Sequence, residues 1–260
     1  MVKQAWLVAS ICLLISANSD ADVARQPDKF EATYGFTRTN QSLINGVLIN
    51  YKNDPTLNVV YENATGFASI QNGVGVWLVR EDQVKSGVSL NYMMGRKASA
   101  DARYAGMGNV AGAGMAYVWG EWQPIKDAVT LYANYGSALR ESQGALGQWG
   151  LTLGLPLIHR VNVFADVSRS WASQPYIQKY YGVNANQAPL SGYTPYTATS
   201  SGLLYSNRQV GMLIEPDKNI DVIVGYGKSS ASALLMHSPL LDHKVQSLST
   251  VVLNQRFNLD

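Results

Sequence analysis

The feature that most constrains the fold is an alternating stretch from Gln148 to Trp171. Its first run sets large apolar side chains against small or polar ones: Trp149, Leu151, Leu153 and Leu155 against Gly150, Thr152 and Gly154. Its second run repeats the pattern: Val161, Val163, Ala165 and Val167 against Asn162, Asp166 and Ser168. Because successive side chains of a strand point to opposite faces, each run predicts a strand with one apolar face. The stretch therefore predicts an antiparallel hairpin with a short turn at Leu157–Arg160.

Aromatic residues at the outer ends of this hairpin favour a membrane setting. Trp149 and Trp171 are both in phase with the apolar face. Amphipathic rings at the ends of an apolar strand face are typical of a membrane interface. A strand of a soluble β-sandwich would alternate in the same way, but its apolar face would need a second sheet to cover it. The hairpin is therefore interpreted as one unit of a transmembrane β-barrel.

The rest of the chain repeats this unit. The other predicted strands are Phe30–Thr39, Leu43–Lys52, Leu57–Ile70, Val74–Arg80, Val84–Arg96, Val110–Trp122, Val129–Leu139, Ser200–Ile214, Ile220–Ser230 and Gln246–Phe257. From the middle of the chain onward, short turns alternate with long loops: Gln123–Asp127, Leu157–Arg160 and Glu215–Asn219 against Lys97–Asn109, Ala172–Thr199 and Ala231–Val245. This alternation is typical of outer-membrane barrels. The fold prediction is an all-β, transmembrane antiparallel up-and-down barrel of about 12 strands.

The N-terminus has the pattern of a cleaved secretory signal. Lys3 precedes an apolar run, Ala5–Ile15, and Ser19-Asp20-Ala21 supplies small residues for a signal peptidase. Residues 1–21 are therefore predicted to be a signal peptide, and residues 22–260 the barrel domain. These features predict export to the outer membrane of a Gram-negative cell, where the barrel would have the membrane lipid as a partner. A net charge of +2 without a Lys/Arg cluster argues against nucleic acid as a partner.

Residues opposite the apolar phase are predicted to face a narrow lumen. Seven glycines in this set would crowd the interior if they were larger: Gly75, Gly112, Gly114, Gly150, Gly154, Gly225 and Gly227. Four charged residues are predicted to line or plug the lumen: Lys85, Asp166, Arg208 and Arg256.

The longest loop, Ala172–Thr199, carries the candidate contact residues. It contains Tyr176, Tyr180, Tyr181, Tyr193 and Tyr196. Tyrosine offers a large, rigid area and a hydroxyl, so the loop is typical of a surface that contacts protein or carbohydrate. An equally good interpretation is a self-packed lid whose tyrosines anchor it to the barrel rim.

The last loop contains a serine, two histidines and a carboxylate: His237, Ser238, Asp242 and His243. A hydrolase site would need a positioned nucleophile, and no strained nucleophile turn is visible here. Pro239 removes a backbone donor beside Ser238. The two histidines lack a third metal ligand at a suitable spacing. The sequence therefore predicts no catalytic residue, no metal site and no cofactor.

The second half of the chain resembles the MipA/OmpV family, whose members are named for interaction with the murein transglycosylase MltA. The resemblance is carried by Tyr180-Tyr181-Gly182-Val183, Gln187-Ala188, Ser191-Gly192, Gly211, Gly225-Tyr226 and Ser238-Pro239, with Gly95-Arg96 earlier. It implies a non-enzymatic outer-membrane barrel that acts as a scaffold for murein synthases and hydrolases, or as an adhesin for an extracellular ligand. The chain departs from the usual barrel ending, because Asn258-Leu259-Asp260 follows the last aromatic residue. From a different class, a narrow pore or uptake channel is the alternative function.

Overall fold

Twelve of the described strands close into an antiparallel barrel in the computed structural model. The structure describes residues 29–39, 42–44, 47–49, 54–70, 72–100, 102–241 and 244–258. The barrel strands are β1 (Lys29–Thr39), β4 (Asp54–Glu62), β5 (Gly66–Ser69), β6 (Gly73–Arg80), β7 (Val84–Met93), β8 (Ala113–Ile125), β9 (Val129–Ala138), β10 (Ala145–Ile158), β11 (Val161–Ala172), β12 (Gly202–Asp217), β13 (Ile220–Ala231) and β14 (Val245–Asn258). A separate two-stranded sheet contains β2 (Ser42–Ile44) and β3 (Val47–Ile49). The predicted fold class and strand number are confirmed.

The barrel follows the order of the chain and closes at β1. This strand pairs with both β4 and β14, and the rings of Phe30 and Phe257 lie 5.6 Å apart across that seam. Tight turns join the strands at one end, where Asp127 and Arg160 have positive φ angles of 60° and 69°. We call this the periplasmic end and the opposite one, with the long connections, the outer end, as in outer-membrane barrels.

The wall has the predicted phase. Leu153 is 49% exposed on the outside, whereas the neighbouring Thr152 is only 5% exposed and faces the lumen. Trp149 is also exposed, and Trp171 packs beside Tyr135 with 6.2 Å between ring centroids. Exposed apolar side chains continue around the barrel: Val74, Val76, Val88, Leu90, Val118, Leu131, Val167, Val210, Val224, Val251 and Leu253. This belt is the surface that faces lipid.

Two strand assignments near the start of the chain were wrong, whereas the predicted strand Phe30–Thr39 is confirmed as β1. Leu57–Ile70 is not one strand, because Asn63 turns the chain between β4 and β5. Its Oδ1 accepts hydrogen bonds from the backbone N–H groups of Thr65 and Gly66, at 3.0 and 2.8 Å. The described part of the predicted strand Leu43–Lys52 does not join the barrel either, since among the described residues β2 and β3 pair with each other. The two errors cancel in the strand count.

The long connections contain the helices. They are the α-helices Gln174–Tyr181 and Ala188–Ser191 and the 3₁₀ helices Ala98–Ala100, Ala102–Tyr104 and Glu141–Gln143. No helix among the described residues is long and apolar enough to cross a membrane. The predicted signal peptide, residues 1–21, lies outside the described residues, as do Asp242, His243, Leu259 and Asp260.

Candidate functional site

Three loops cover the outer end of the barrel and form the candidate site. We define the lid as the described residues 94–100, 102–112, 173–201 and 232–241. Its helix, Gln174–Tyr181, has Pro175 in its first turn, where the fixed φ of proline suits the helix. Ser173 ties that start to the barrel: its Oγ accepts a hydrogen bond from Ala145 N at 2.7 Å, and its N–H donates to Ala145 O at 2.9 Å. The helix is thereby held directly over the barrel rim.

The tyrosines of the long loop point into the barrel mouth. Tyr176, Tyr180 and Tyr181 have 0% exposed surface, and the rings of Tyr176 and Tyr180 lie 4.5 Å apart. The hydroxyls of Tyr181 and Tyr205 are 3.2 Å apart. Tyr193 is partly exposed, and the partly exposed Tyr196 donates its hydroxyl to Leu234 O. This arrangement is that of a self-packed lid. That these tyrosines contact a partner remains a prediction.

The buried cluster beneath the lid is continuous with the barrel wall. It includes side chains from the loops and from the outer ends of several strands: Met93, Tyr104, Met107, Met115, Tyr117, Ile177, Leu204, Leu235 and Leu240. Gly144 permits close packing, since a side chain there would meet Tyr176 and its φ of +79° disfavours other residues. The outer mouth is therefore filled by apolar and aromatic groups.

A buried arginine lies inside this cluster. Arg96 donates from Nη1 to Tyr180 O at 3.1 Å, and its guanidinium carbon lies 4.5 Å from the centre of the Tyr104 ring. Burial lowers the pKa of Arg96. Burial also raises the pKa of Tyr180 to about 12. Arg96 forms no ion pair with a carboxylate in the described part of the chain, so the Tyr104 face and the Tyr180 carbonyl supply its stabilising contacts.

The possible hydrolase residues do not form a catalytic arrangement among the described residues. Ser238 is buried, and its Oγ donates to Tyr181 O at 2.7 Å. His237 is exposed, while Asp242 and His243 lie outside the described residues. Ser238 thus serves as a tie between the last loop and the lid helix. No group of three potential metal ligands occurs in the described part of the chain.

The lumen below the lid is polar and carries paired charges. Asp166 accepts hydrogen bonds from Tyr132 at 2.9 Å and Thr152 at 2.8 Å. Arg256 lies 3.3 Å from Glu31 and 2.5 Å from Asp221. A cavity of about 40 Å³ adjoins this network, lined by Glu31, Glu121, Lys85, Asn58, Trp77 and Trp119.

Three of the four predicted lumenal charges face the interior. Asp166 and Arg256 are largely buried, and Lys85 lines the cavity. The prediction for Arg208 was wrong, because it shares the phase of Val210 and is exposed on the outer surface.

Of the seven glycines predicted to face the lumen, five do so and two do not. Gly75, Gly150, Gly154, Gly225 and Gly227 share the lumenal phase, and a side chain at Gly75 or Gly150 would meet Phe67 or Tyr132. Gly112 and Gly114 were assigned wrongly, because side chains there would meet the outward-facing Tyr92 and Leu139.

Two pairs of exposed apolar residues, one at each end of the barrel, are candidate contacts for a partner protein. At the periplasmic end, Leu157 and Ile158 are 55% and 70% exposed, and Arg160 Nη1 donates to Pro216 O at 2.9 Å, joining two turns. On top of the lid, Leu190 and Met236 are 72% and 44% exposed. Sequence reasoning had proposed the first region as a periplasmic turn, but it missed both lid residues, which lie in loops without a periodic pattern.

A lipid-facing belt around a closed, even-stranded barrel, with short turns at one end and long loops at the other, defines an outer-membrane β-barrel protein. The chain belongs to the MipA family: the family model described as "MltA-interacting protein MipA" matches residues 38–257. Comparison with curated protein sequences gave no match.

Several solved barrels are similar to the chain at low identity. An outer membrane channel from Pseudomonas putida F1 has 7% identity and a TM-score of 0.46, covering 92% of this chain and 100% of that one. The NanC porin has 8% identity and a TM-score of 0.45, with coverages of 88% and 100%. The translocator domain of the autotransporter NalP from Neisseria meningitidis has 12% identity and a TM-score of 0.42, with coverages of 97% and 96%. The fold assignment depends on the strand pairing described above.

Proposed function

We propose that this protein is a non-enzymatic outer-membrane scaffold that binds a murein transglycosylase at its periplasmic end and, through it, a murein synthase. The observation that carries the proposal is the filled outer mouth. Tyr176, Tyr180 and Tyr181 are used internally, so they offer no surface to a partner in this conformation. The filled mouth also opposes free passage along the barrel axis. The family description, which names interaction with MltA, supports a murein transglycosylase as the partner.

The periplasmic turns are the surface we assign to this partner. Ile158 and Leu157 are adjacent, exposed and apolar at the β10–β11 turn. The hydrogen bond from Arg160 to Pro216 and a second from Glu215 N to Arg160 O fix this turn against the next one. Apolar anchors held on a rigid base suit a protein interface, since little side-chain and loop freedom is lost on binding.

A binding experiment with matched variants tests the proposal. Purified barrel in detergent micelles is titrated with a purified transglycosylase of the MltA type. Leu157→Ser with Ile158→Ser removes the periplasmic anchors, and Leu190→Ser with Met236→Ser removes two exposed apolar side chains from the lid. We expect the first pair to weaken binding at least about tenfold, because interface anchors contribute roughly 2 kcal/mol each. The lid pair should bind like the wild type.

A different result would assign the binding surface to the lid instead of the periplasmic turns. If the lid pair loses adhesion to an extracellular ligand while both pairs retain enzyme binding, the adhesin function replaces the scaffold.

The polar cavity below the lid favours a narrow channel as the second candidate function. Glu31, Glu121 and Lys85 line it, and such groups would form hydrogen bonds with a small polar solute in place of water. A channel would require the lid to move. Swelling of proteoliposomes in a neutral sugar tests this function: swelling by the wild-type barrel supports a channel, and swelling no faster than in empty liposomes excludes passage of that sugar.

A further inference from the structure

Three cations lie on the outside of the barrel, where they are not expected on a lipid-facing wall. Arg169 on β11, Arg208 on β12 and Lys228 on β13 are all exposed. They share the outward phase of Val167, Val210 and Tyr226, two positions away on each strand. We call these three residues the girdle cations.

Strand register brings the girdle cations together. Arg208 pairs directly with Lys228, and Arg169 pairs with Ser206, which places Arg169 diagonal to Arg208. Direct cross-strand partners have Cβ atoms about 5 Å apart, and diagonal ones about 7–8 Å. Long arginine and lysine side chains at these positions can reach one common group.

The like charges have no acidic neighbour on their face of the sheet. Arg208 pairs on its other side with Val167, Lys228 with Ser247, and Arg169 with Trp149. Asp166 is nearby in sequence, but it points into the lumen and accepts from Tyr132 and Thr152. In the described part of the chain none of the girdle cations forms an ion pair. Because like charges directly opposite each other destabilise a sheet, this pairing needs an external anion to offset it.

The height of the patch indicates which anion is available. Arg169 lies directly opposite Trp149, and Tyr226 is two residues below Lys228. Exposed Trp and Tyr side chains on the outer half of a barrel mark the membrane interface. Val210 and Val224 lie just below on the lipid-facing belt. The girdle cations are therefore at the level of the lipid headgroups of the outer leaflet.

We propose that Arg169, Arg208 and Lys228 bind phosphate groups of an anionic lipid headgroup in the outer leaflet. The planar guanidinium groups of two arginines match phosphate oxygens in a bidentate manner, and the lysine adds a third charge. Ser206 and Ser230, a cross-strand pair on the same face, offer hydroxyl donors beside them. The acyl chains of the lipid would lie along Val167 and Val210 below. This lipid site goes beyond the proposed scaffold function and does not depend on it.

Native mass spectrometry of the full-length barrel with purified lipid A as the probe tests the proposal. The variant is Arg208→Gln with Lys228→Gln, and the control is Lys126→Gln with Lys218→Gln, which removes the same charge from the periplasmic turns. We expect the girdle variant to bind lipid A at least about tenfold more weakly, because two charge-assisted contacts are lost. The control should bind like the wild type.

Further measurements use the wild-type barrel, so they do not depend on whether the variant folds. Wild-type barrel should bind enzymatically dephosphorylated lipid A at least about tenfold more weakly than intact lipid A. Inorganic phosphate should not displace the lipid at equal concentration. Equal binding of intact and dephosphorylated lipid would overturn the proposal. Displacement by inorganic phosphate would reduce the site to a general anion patch, and displacement by polyglutamate would assign the patch to an acidic protein segment instead.

Discussion

The two halves of the barrel interior differ in their balance of apolar and charged groups. Under the lid, the interior positions carry tyrosine, methionine and leucine, and the one cation there, among the described residues, is Arg96. Towards the periplasmic end, the interior carries carboxylates and amides, with Arg256 lying between Glu31 and Asp221. Smaller apolar and aromatic groups accompany them there: Leu213, Ile223 and Val252, and the rings of Phe67, Trp77 and Trp119. The same alternating wall supports both.

Because of this difference, closure of the outer mouth and stability of the barrel wall depend on different sets of residues. The outer half is held by burial of apolar surface, which excludes water from the packed cluster. The inner half combines smaller apolar clusters with specific hydrogen bonds and ion pairs around a small cavity, and such polar contacts tolerate water. Substitutions in the outer half should therefore open the lid, whereas substitutions in the inner half should weaken the barrel without opening it.

Tyr176→Ala should have the largest effect on the outer half. It removes a fully buried ring, and such truncations cost about 3–5 kcal/mol. We expect the loop 173–201 to become sensitive to protease while the strands remain folded, as measured by limited proteolysis and circular dichroism. Tyr196→Ala, at a partly exposed ring, is the milder control. Equal resistance of the Tyr176 variant and the wild type would show that the lid is not held by this ring.

Arg256→Met should have the corresponding effect on the inner half. It leaves Glu31 and Asp221 without their cation. We expect a loss at the lower end of the roughly 3–5 kcal/mol seen for broken buried pairs, because the Arg256 side chain is 15% exposed. Thermal unfolding in detergent measures this, and the lid loop should stay protected from protease. A second change, Asp221→Asn, should restore part of the stability. A lid that opens in the Arg256 variant would contradict the separation of the two halves.

Arg96→Met should have a smaller effect than either. The substitution leaves the Tyr180 carbonyl without its donor, at a cost of about 1–3 kcal/mol, but it also removes a buried cation that lacks a carboxylate partner. We expect a moderate rise in proteolysis of the lid and little change in barrel melting. A melting loss as large as that of the Arg256 variant would mean that Arg96 supports the wall rather than the lid.

Raising the pH should destabilise the lid without any substitution, and this is the smallest of the four expected effects. Burial raises the pKa of Tyr180 from 10.0 to about 12 and raises that of Tyr176 as well. The folded lid therefore holds these protons more tightly than the unfolded one. The contribution of Tyr180 is complete below pH 10 and is lost as the pH rises towards 12. Protease sensitivity of the lid should increase over this range. Tyr180→Phe should shift its onset upwards.

Much of the wall could be predicted from sequence, because a strand fixes the face of every side chain. The opposite exposures of Leu153 and Thr152 follow from that rule alone. The turn at Asn63 was missed although the apolar alternation of Leu57, Val59 and Tyr61 stops there. Asn63 and Gly66 are turn-forming residue types, and the hydrogen bonds to Asn63 Oδ1 hold the bend. Arg208 was misplaced because its charge was weighed more heavily than its phase.

The lid could not be predicted to the same depth. Its tyrosines lie in loops, where no periodicity relates one side chain to the next. The sequence therefore could not decide between a contact surface for a partner and a self-packed lid. The choice depends on contacts between distant segments, such as Ser238 with Tyr181 and Arg96 with Tyr180. Sequence identified the loop, and packing determined the direction of its side chains.

Single-channel recording in planar bilayers tests the closed outer mouth most directly. The wild-type barrel is compared with the double variant Tyr176→Ala, Tyr180→Ala under the same salt and voltage. We expect no defined unitary steps from the wild type, and steps of reproducible size from the variant once the aromatic packing is removed. Steps of the same size and frequency from both proteins would contradict closure by the lid.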